Sequence, residues 1–149
     1  MNKKEKYAEV FRMIQSVVEG ESDMVANMAN VAALLHDEFG FWWTGFYRVE
    51  QESGQLVLGP FQGPVACTRI QFGKGVCGKA WERAETVTVP DVDQFPGHIA
   101  CSSASNSEIV VPVFQGKKVI AVLDIDSTEF NTFDQTDKEW LEKIVSLIR

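Results

Sequence analysis

Hydrophobic residues change their spacing twice along this chain. Tyr7, Val10, Phe11, Ile14, Val17 and Val18 recur at helical intervals, and so do Met24, Met28, Val31, Ala32, Leu35 and Phe39. Each set forms one apolar stripe of an amphipathic helix. Gly20 closes the first helix, Ser22 or Asp23 caps the second, and Gly40 ends it. From Phe41 onward the pattern gives way to short β-rich runs at 42–49, 55–58, 67–72 and 86–89, with a short helix over about 76–83 between the last two. A polar loop over 91–106 leads to two more runs, 108–114 and 118–126, joined by a hairpin at Gln115-Gly116-Lys117. A final helix starts at Asp134, carries Asp137 and Glu139 in its first turns, and buries Trp140, Leu141, Ile144 and Leu147. Parallel strands need crossovers of about a dozen residues or more, so short turns imply antiparallel neighbours. The expected fold is α+β, one domain over 1–149, with helices from both chain ends covering one face of a mainly antiparallel sheet.

Charge narrows the partners. Fourteen basic and twenty-one acidic residues leave a net charge of −7, and no basic run exceeds two residues. Such a surface repels phosphate backbones and anionic lipid, so neither nucleic acid nor membrane is expected. No apolar run is long enough to span a bilayer, and the N-terminus lacks the apolar core of a signal peptide. The chain reads as cytoplasmic. Its three cysteines, Cys67, Cys77 and Cys101, are then expected to be thiols at rest, with any disulfide transient. There is no Cys-x-x-Cys, and His36 and His98 stand at no zinc-like spacing from the thiols, so no metal is expected.

Several constellations could carry chemistry. Gly73-Lys74-Gly75-Val76-Cys77-Gly78 matches a dinucleotide fingerprint, but that motif belongs to the first strand of a parallel βαβ unit, and the strands around it look antiparallel. The glycines are better read as shaping a tight strand-to-helix turn, whose exposed N–H groups could hold a small carboxylate. In the run Val119 to Asp126, alternation puts Ile120, Val122, Asp124 and Asp126 on one face. A three-residue hairpin loop sets Glu108 opposite Asp124 on that face, whereas a two-residue loop sends it to the other. In the first register three carboxylates converge and repel, and at least one keeps its proton near neutral pH. In the other, Glu108 is a solvated strand start and Asp126 part of a strand-ending turn.

Cys101 lies in a stretch of small polar residues, where a thiol is exposed and reactive, while Cys67 opens a strand. Cys77 starts a helix, whose dipole favours the thiolate. Taken singly, each is more often a structural residue than a catalytic one. His98, three residues before Cys101, is expected to make a loop hydrogen bond. Trp43 and Tyr47 share a strand face around Gly45, either as plain core or as walls of a small-ligand pocket.

Taken in order, Trp43-Thr44-Gly45-Phe46-Tyr47, Leu58-Gly59-Pro60-Phe61-Gln62-Gly63, the Gly73 to Gly78 motif, Gly97-His98-Ile99-Ala100-Cys101, Ser105-Asn106-Ser107-Glu108-Ile109-Val110 and Val122-Leu123-Asp124-Ile125-Asp126-Ser127 resemble the free methionine-(R)-sulfoxide reductases. These are small enzymes with the GAF fold. The resemblance covers essentially the whole chain and implies a six-stranded antiparallel sheet with packed helices. It also implies thiol-dependent reduction of free methionine-(R)-sulfoxide without a cofactor, thioredoxin as reductant, and a possible homodimer. By the same likeness Cys101 matches the attacking cysteine, Cys67 the resolving one and Cys77 an auxiliary third. Glu108, Asp124 and Asp126 match the carboxylates that hold and polarise the substrate, and Trp43 and Tyr47 the aromatics around its methyl group. Two rival readings remain at this point: a GAF sensor module for a small ligand, which Phe133-Asp134-Gln135-Thr136-Asp137 only loosely echoes, and a thiol redox sensor without a substrate.

Overall fold

A computed structural model describes every residue except Ala100, Ser102, Ser103 and Arg149. Two helices come first, α1 (Lys3–Val18) and α2 (Met24–Phe39), followed by strands β1 (Trp43–Glu50), β2 (Gln55–Gln62) and β3 (Arg69–Gln71). Helix α3 (Gly75–Arg83), strand β4 (Val87–Val89) and a 3-10 turn (Val92–Gln94) lead to β5 (Ser107–Gln115), β6 (Lys118–Ser127) and helix α4 (Gln135–Val145). The strands form one six-stranded sheet in the order β3-β2-β1-β6-β5-β4. Every neighbouring pair is antiparallel. Among the described residues no helix is long and apolar enough to cross a membrane.

The caps explain the helix boundaries. Asp23 accepts a hydrogen bond from the Ala26 amide to start α2, and Gly40 ends it in a left-handed conformation at φ 68°. Asp134 and Asp137 cap α4 reciprocally. Asp137 also accepts from the Tyr7 hydroxyl at 2.6 Å and from Lys3 Nζ at 2.7 Å, which ties α1 to α4.

Alternation along the strands divides the apolar residues between two cores. Phe46, Ile109, Val111, Val113, Ala121, Leu123 and Ile125 face α1, α2 and α4. Trp43, Tyr47, Leu56, Val110 and Val122 face the opposite way, against Val76, Cys77 and Ala80 of α3. The terminal helices thus fill one face as expected, and a smaller layer built around α3 covers the other.

Some boundaries differ from the sequence reading. β2 runs on to Gln62 through Pro60, and β3 is only three residues long, so Cys67 lies in the coil before it instead of opening a strand. In α4, Leu141 and Ile144 are buried as expected, while Trp140, and Leu147 just past the helix end, are half-buried against the helical core.

Candidate functional site

The site grows from a register defect. Gln115 pairs with Lys118 and Phe114 with Val119, so the hairpin has a two-residue loop, the case that should carry Glu108 away from the aspartates. A shift between Val113 and Phe114 reverses that outcome. Val113 pairs with Ala121, which leaves Ile120 as the extra residue of a bulge. Beyond the bulge Glu108 stands opposite Asp126, and Val110 opposite Asp124. The three carboxylates do share a face, but Glu108 faces Asp126 and not Asp124. Ile120 leaves that face and packs against the helical core.

These acids are held under a roof. Glu108 and Asp124 are each only 6% exposed. Burial, followed by the charge of Asp126, pushes the Glu108 carboxyl up to about 8. Burial, with Glu108 as the main like-charged neighbour, raises Asp124 well above the usual carboxylate range. Burial and the charge of Asp124 do the same to Asp126, although the Ser105 hydroxyl opposes this by donating to Asp126 Oδ1 at 3.1 Å. Asp124 Oδ1 is buried with no hydrogen-bond partner among the described residues.

Cys77 completes the cluster. One donor atom each from Cys77, Glu108 and Asp124 lie within 4.8 Å of one another, the grouping best placed to hold a metal ion among the described residues. Linear spacing could not find it, because α3, β5 and β6 each supply one donor. The same burial that raises the acids raises the Cys77 thiol, with the charges of Asp124, Glu108 and Asp126 adding to it. The thiolate expected from the helix dipole is thereby overruled. A protonated thiol and protonated carboxyls donate hydrogen bonds; they bind a cation only after losing protons.

Cys67 and Cys101 are joined in a disulfide with their Cα atoms 5.4 Å apart. The aromatic pair holds one side of that link. The Trp43 indole N–H donates to the Pro64 carbonyl and the Tyr47 hydroxyl to the Cys67 carbonyl, both at 2.9 Å. Their rings lie 6.0 Å apart, and Trp43 also stacks on Phe61 at 5.3 Å. Gly45 makes this possible, since a Cβ there would meet the Trp43 ring at 2.6 Å.

A small cavity of about 50 Å³ runs between Trp43, Tyr47, the α3 N-terminus, Cys101 and the three acids. The candidate site residues thus meet around one space, except Cys67, which reaches it only through its bridge to Cys101. Sequence reasoning missed some of its parts. His98 turns inward, with Nε2 3.7 Å from Glu108 Oε1, where a loop hydrogen bond was expected. Ser105 and the hydrogen-bonding ends of Trp43 and Tyr47 were also missed. Only the polar character of residues 102–107 hinted at the first, and no sequence pattern signals the second.

The glycine motif is confirmed as a turn. Strand β3 before it pairs antiparallel with β2, and β4 after it lies at the opposite edge of the sheet, so the described residues form no parallel βαβ unit there. A Cβ at Gly78 would meet the Gln71 carbonyl oxygen at 2.6 Å. The α3 N-terminus follows Lys74, whose side chain does not cap it, and Gly75 and Val76 border the cavity.

The GAF domain family matches residues 20–149. Free methionine-R-sulfoxide reductase of Escherichia coli is 46% identical over 147 residues, covering 98% of this chain and 88% of that protein. The protein of the same name from Saccharomyces cerevisiae is 43% identical over 155 residues, covering 99% and 86%. The chain belongs to the free methionine-R-sulfoxide reductase family of GAF domains. Among solved structures, the Neisseria meningitidis free methionine-R-sulfoxide reductase in complex with its substrate superposes with a TM-score of 0.97 at 53% identity, covering 99% of this chain and 89% of that one.

Proposed function

We propose that this protein, acting as a single catalytic domain, reduces free methionine-(R)-sulfoxide to methionine. The observation that carries the reading is that Cys101, bridged to Cys67, shares one cavity with three proton-retaining carboxyls, two of them buried. Membership of the reductase family supports the same assignment.

In this reading one carboxyl of the cluster gives up its proton as the substrate ammonium binds, and the unpartnered Asp124 Oδ1 offers that ammonium an acceptor. The substrate carboxylate takes the free N–H groups of the first α3 turn, and the S-methyl lies against Trp43 and Tyr47. The Cys101 thiolate attacks sulfur while one of Glu108, Asp124 and Asp126 gives its proton to the sulfoxide oxygen. Without that proton the oxygen is a poor leaving group. Oxygen passes to sulfur of Cys101, methionine leaves, and the two-electron oxidation is stored as a sulfenic acid. The Cys67 thiol then condenses with it, forming the disulfide and releasing water. Cys77 stays a thiol beside Asp124 and takes part by holding the acids in place.

A thioredoxin-class dithiol in the cytoplasm reopens the bridge, and the working unit proposed is a homodimer, which sedimentation checks. The function is tested by supplying the separated R and S epimers of free methionine sulfoxide with a thioredoxin system and measuring methionine. Production from the R epimer alone supports the assignment. No methionine from either epimer, with the disulfide still cycling, favours the redox sensor.

A further inference from the structure

We propose that the protein reductant docks on an apolar rim, formed by Val65 and Ile99, that flanks the Cys67–Cys101 disulfide. This rests on the reductase reading above and adds the surface through which the enzyme is recharged. Val65 stands two residues before Cys67 and Ile99 two residues before Cys101, so the bridge brings both to the same opening. Both are exposed large hydrophobic residues, Val65 strongly at 88% and Ile99 at 40%. Their exposed chain neighbours Gly63, Pro64, Thr68, Pro96 and Gly97 are uncharged, and exposed Lys74 borders the same opening.

The charge distribution points the same way. Segments 59–68 and 95–107, which carry the two cysteines, contain no Asp, Glu, Lys or Arg. At the chain's 23% charged content, twenty-three residues would carry about five. On a protein of net charge −7 this gap is a stretch of chain that adds no charge of its own against an approaching partner. Exposed valine and isoleucine gain most by being covered, and interfaces concentrate such uncharged, apolar contacts at their centre. The occupant is fixed by chemistry. Thiolate attack opens such a bridge, and a partner carrying a second thiol beside the first resolves the mixed disulfide itself, so the occupant proposed is a dithiol protein of the thioredoxin class. Its thiolate attacks one sulfur of the bridge, the S–S bond breaks, and the other cysteine leaves as a thiolate and takes a proton. The partner's second thiol attacks the resulting mixed disulfide, freeing the reduced enzyme and leaving the partner oxidised.

The test uses full-length disulfide-form protein and follows reopening of the bridge by thioredoxin, or by dithiothreitol, in Val65→Glu and Val65→Arg. Either charge is expected to slow thioredoxin about tenfold, because it must be buried or displaced. Dithiothreitol, too small to need the rim, is expected to stay within about twofold. Unchanged thioredoxin rates overturn the proposal. So do opposite effects of the two charges, which indicate long-range electrostatics without an apolar contact, and equal slowing by both reductants, which indicates a disturbed bridge. If thioredoxin fails on the unaltered protein while dithiothreitol sustains methionine formation, the docking surface falls and the reductase reading survives. If no methionine forms with dithiothreitol, that reading falls, and the reopening kinetics still decide the rim.

Discussion

Replacing Glu108 by Gln should make the folded protein less sensitive to alkali. The Glu108 carboxyl keeps its proton up to about pH 8 in the folded chain against an ordinary value of 4.5. Between those values the unfolded chain has released a proton that the folded one still holds. Rising pH therefore favours unfolding: the stabilisation is complete below about 4.5 and is lost as pH climbs through about 8. Integrated from pH 6 to pH 8, this one group costs the folded state about 2 kcal/mol. Gln keeps the shape and stays neutral, so the variant escapes that loss and also spares Asp126 a like charge. With a urea slope of about 2 kcal/mol per molar, the midpoint of the unaltered protein should fall about 1 M further than that of the variant over this interval. The assay is urea unfolding of both disulfide-form proteins at pH 6 and pH 8, followed by tryptophan fluorescence. Parallel losses, agreeing within about 0.5 kcal/mol, would refute the claim that Glu108 is buried and neutral.

The same protonation should appear in turnover: kcat/KM falls above about pH 8 as the acid is lost, and Glu108→Gln lowers activity while shifting that limb. A pH profile that climbs steadily past 9 in both proteins contradicts it. Gly45→Ala should push the Trp43 ring off its place, raising KM for the sulfoxide about tenfold and lowering stability by about 1–3 kcal/mol; steady-state kinetics with an unchanged KM would remove Trp43 from the substrate wall. Asp137→Asn should cost about 2 kcal/mol, because the buried Tyr7 hydroxyl and Lys3 both lose a charged acceptor. Calorimetry should show Tm lower by about 6 °C with kcat intact.

How far these features could be read from the chain varied with their physical origin. Helices and caps were legible because they depend on local chemistry: Asp23, Gly40 and Asp134 sit where a cap must be. The antiparallel sheet followed from short connections. The carboxylate cluster was legible only as a conditional, since a one-residue change in the loop flips a strand face. The hairpin in fact has the wrong loop length, and the bulge at Ile120 corrects it. Nothing in a period-two pattern announces such a bulge. Cys77 was misjudged for a related reason: a helix start is visible locally, whereas two acids arriving from β5 and β6 are not. His98 was placed in a loop correctly, but its inward turn toward Glu108 depends on the fold closing over it.

The account stands or falls on which sulfur takes the oxygen. Fully reduced protein, mixed with one portion of R-sulfoxide and no reductant, should release about one methionine per chain as two thiols disappear. Cys67→Ser should release the same single methionine and leave a sulfenic acid that a dimedone probe labels at Cys101. Cys101→Ser should release none. A full equivalent of methionine from Cys101→Ser would contradict the assignment of Cys101 as the attacking residue.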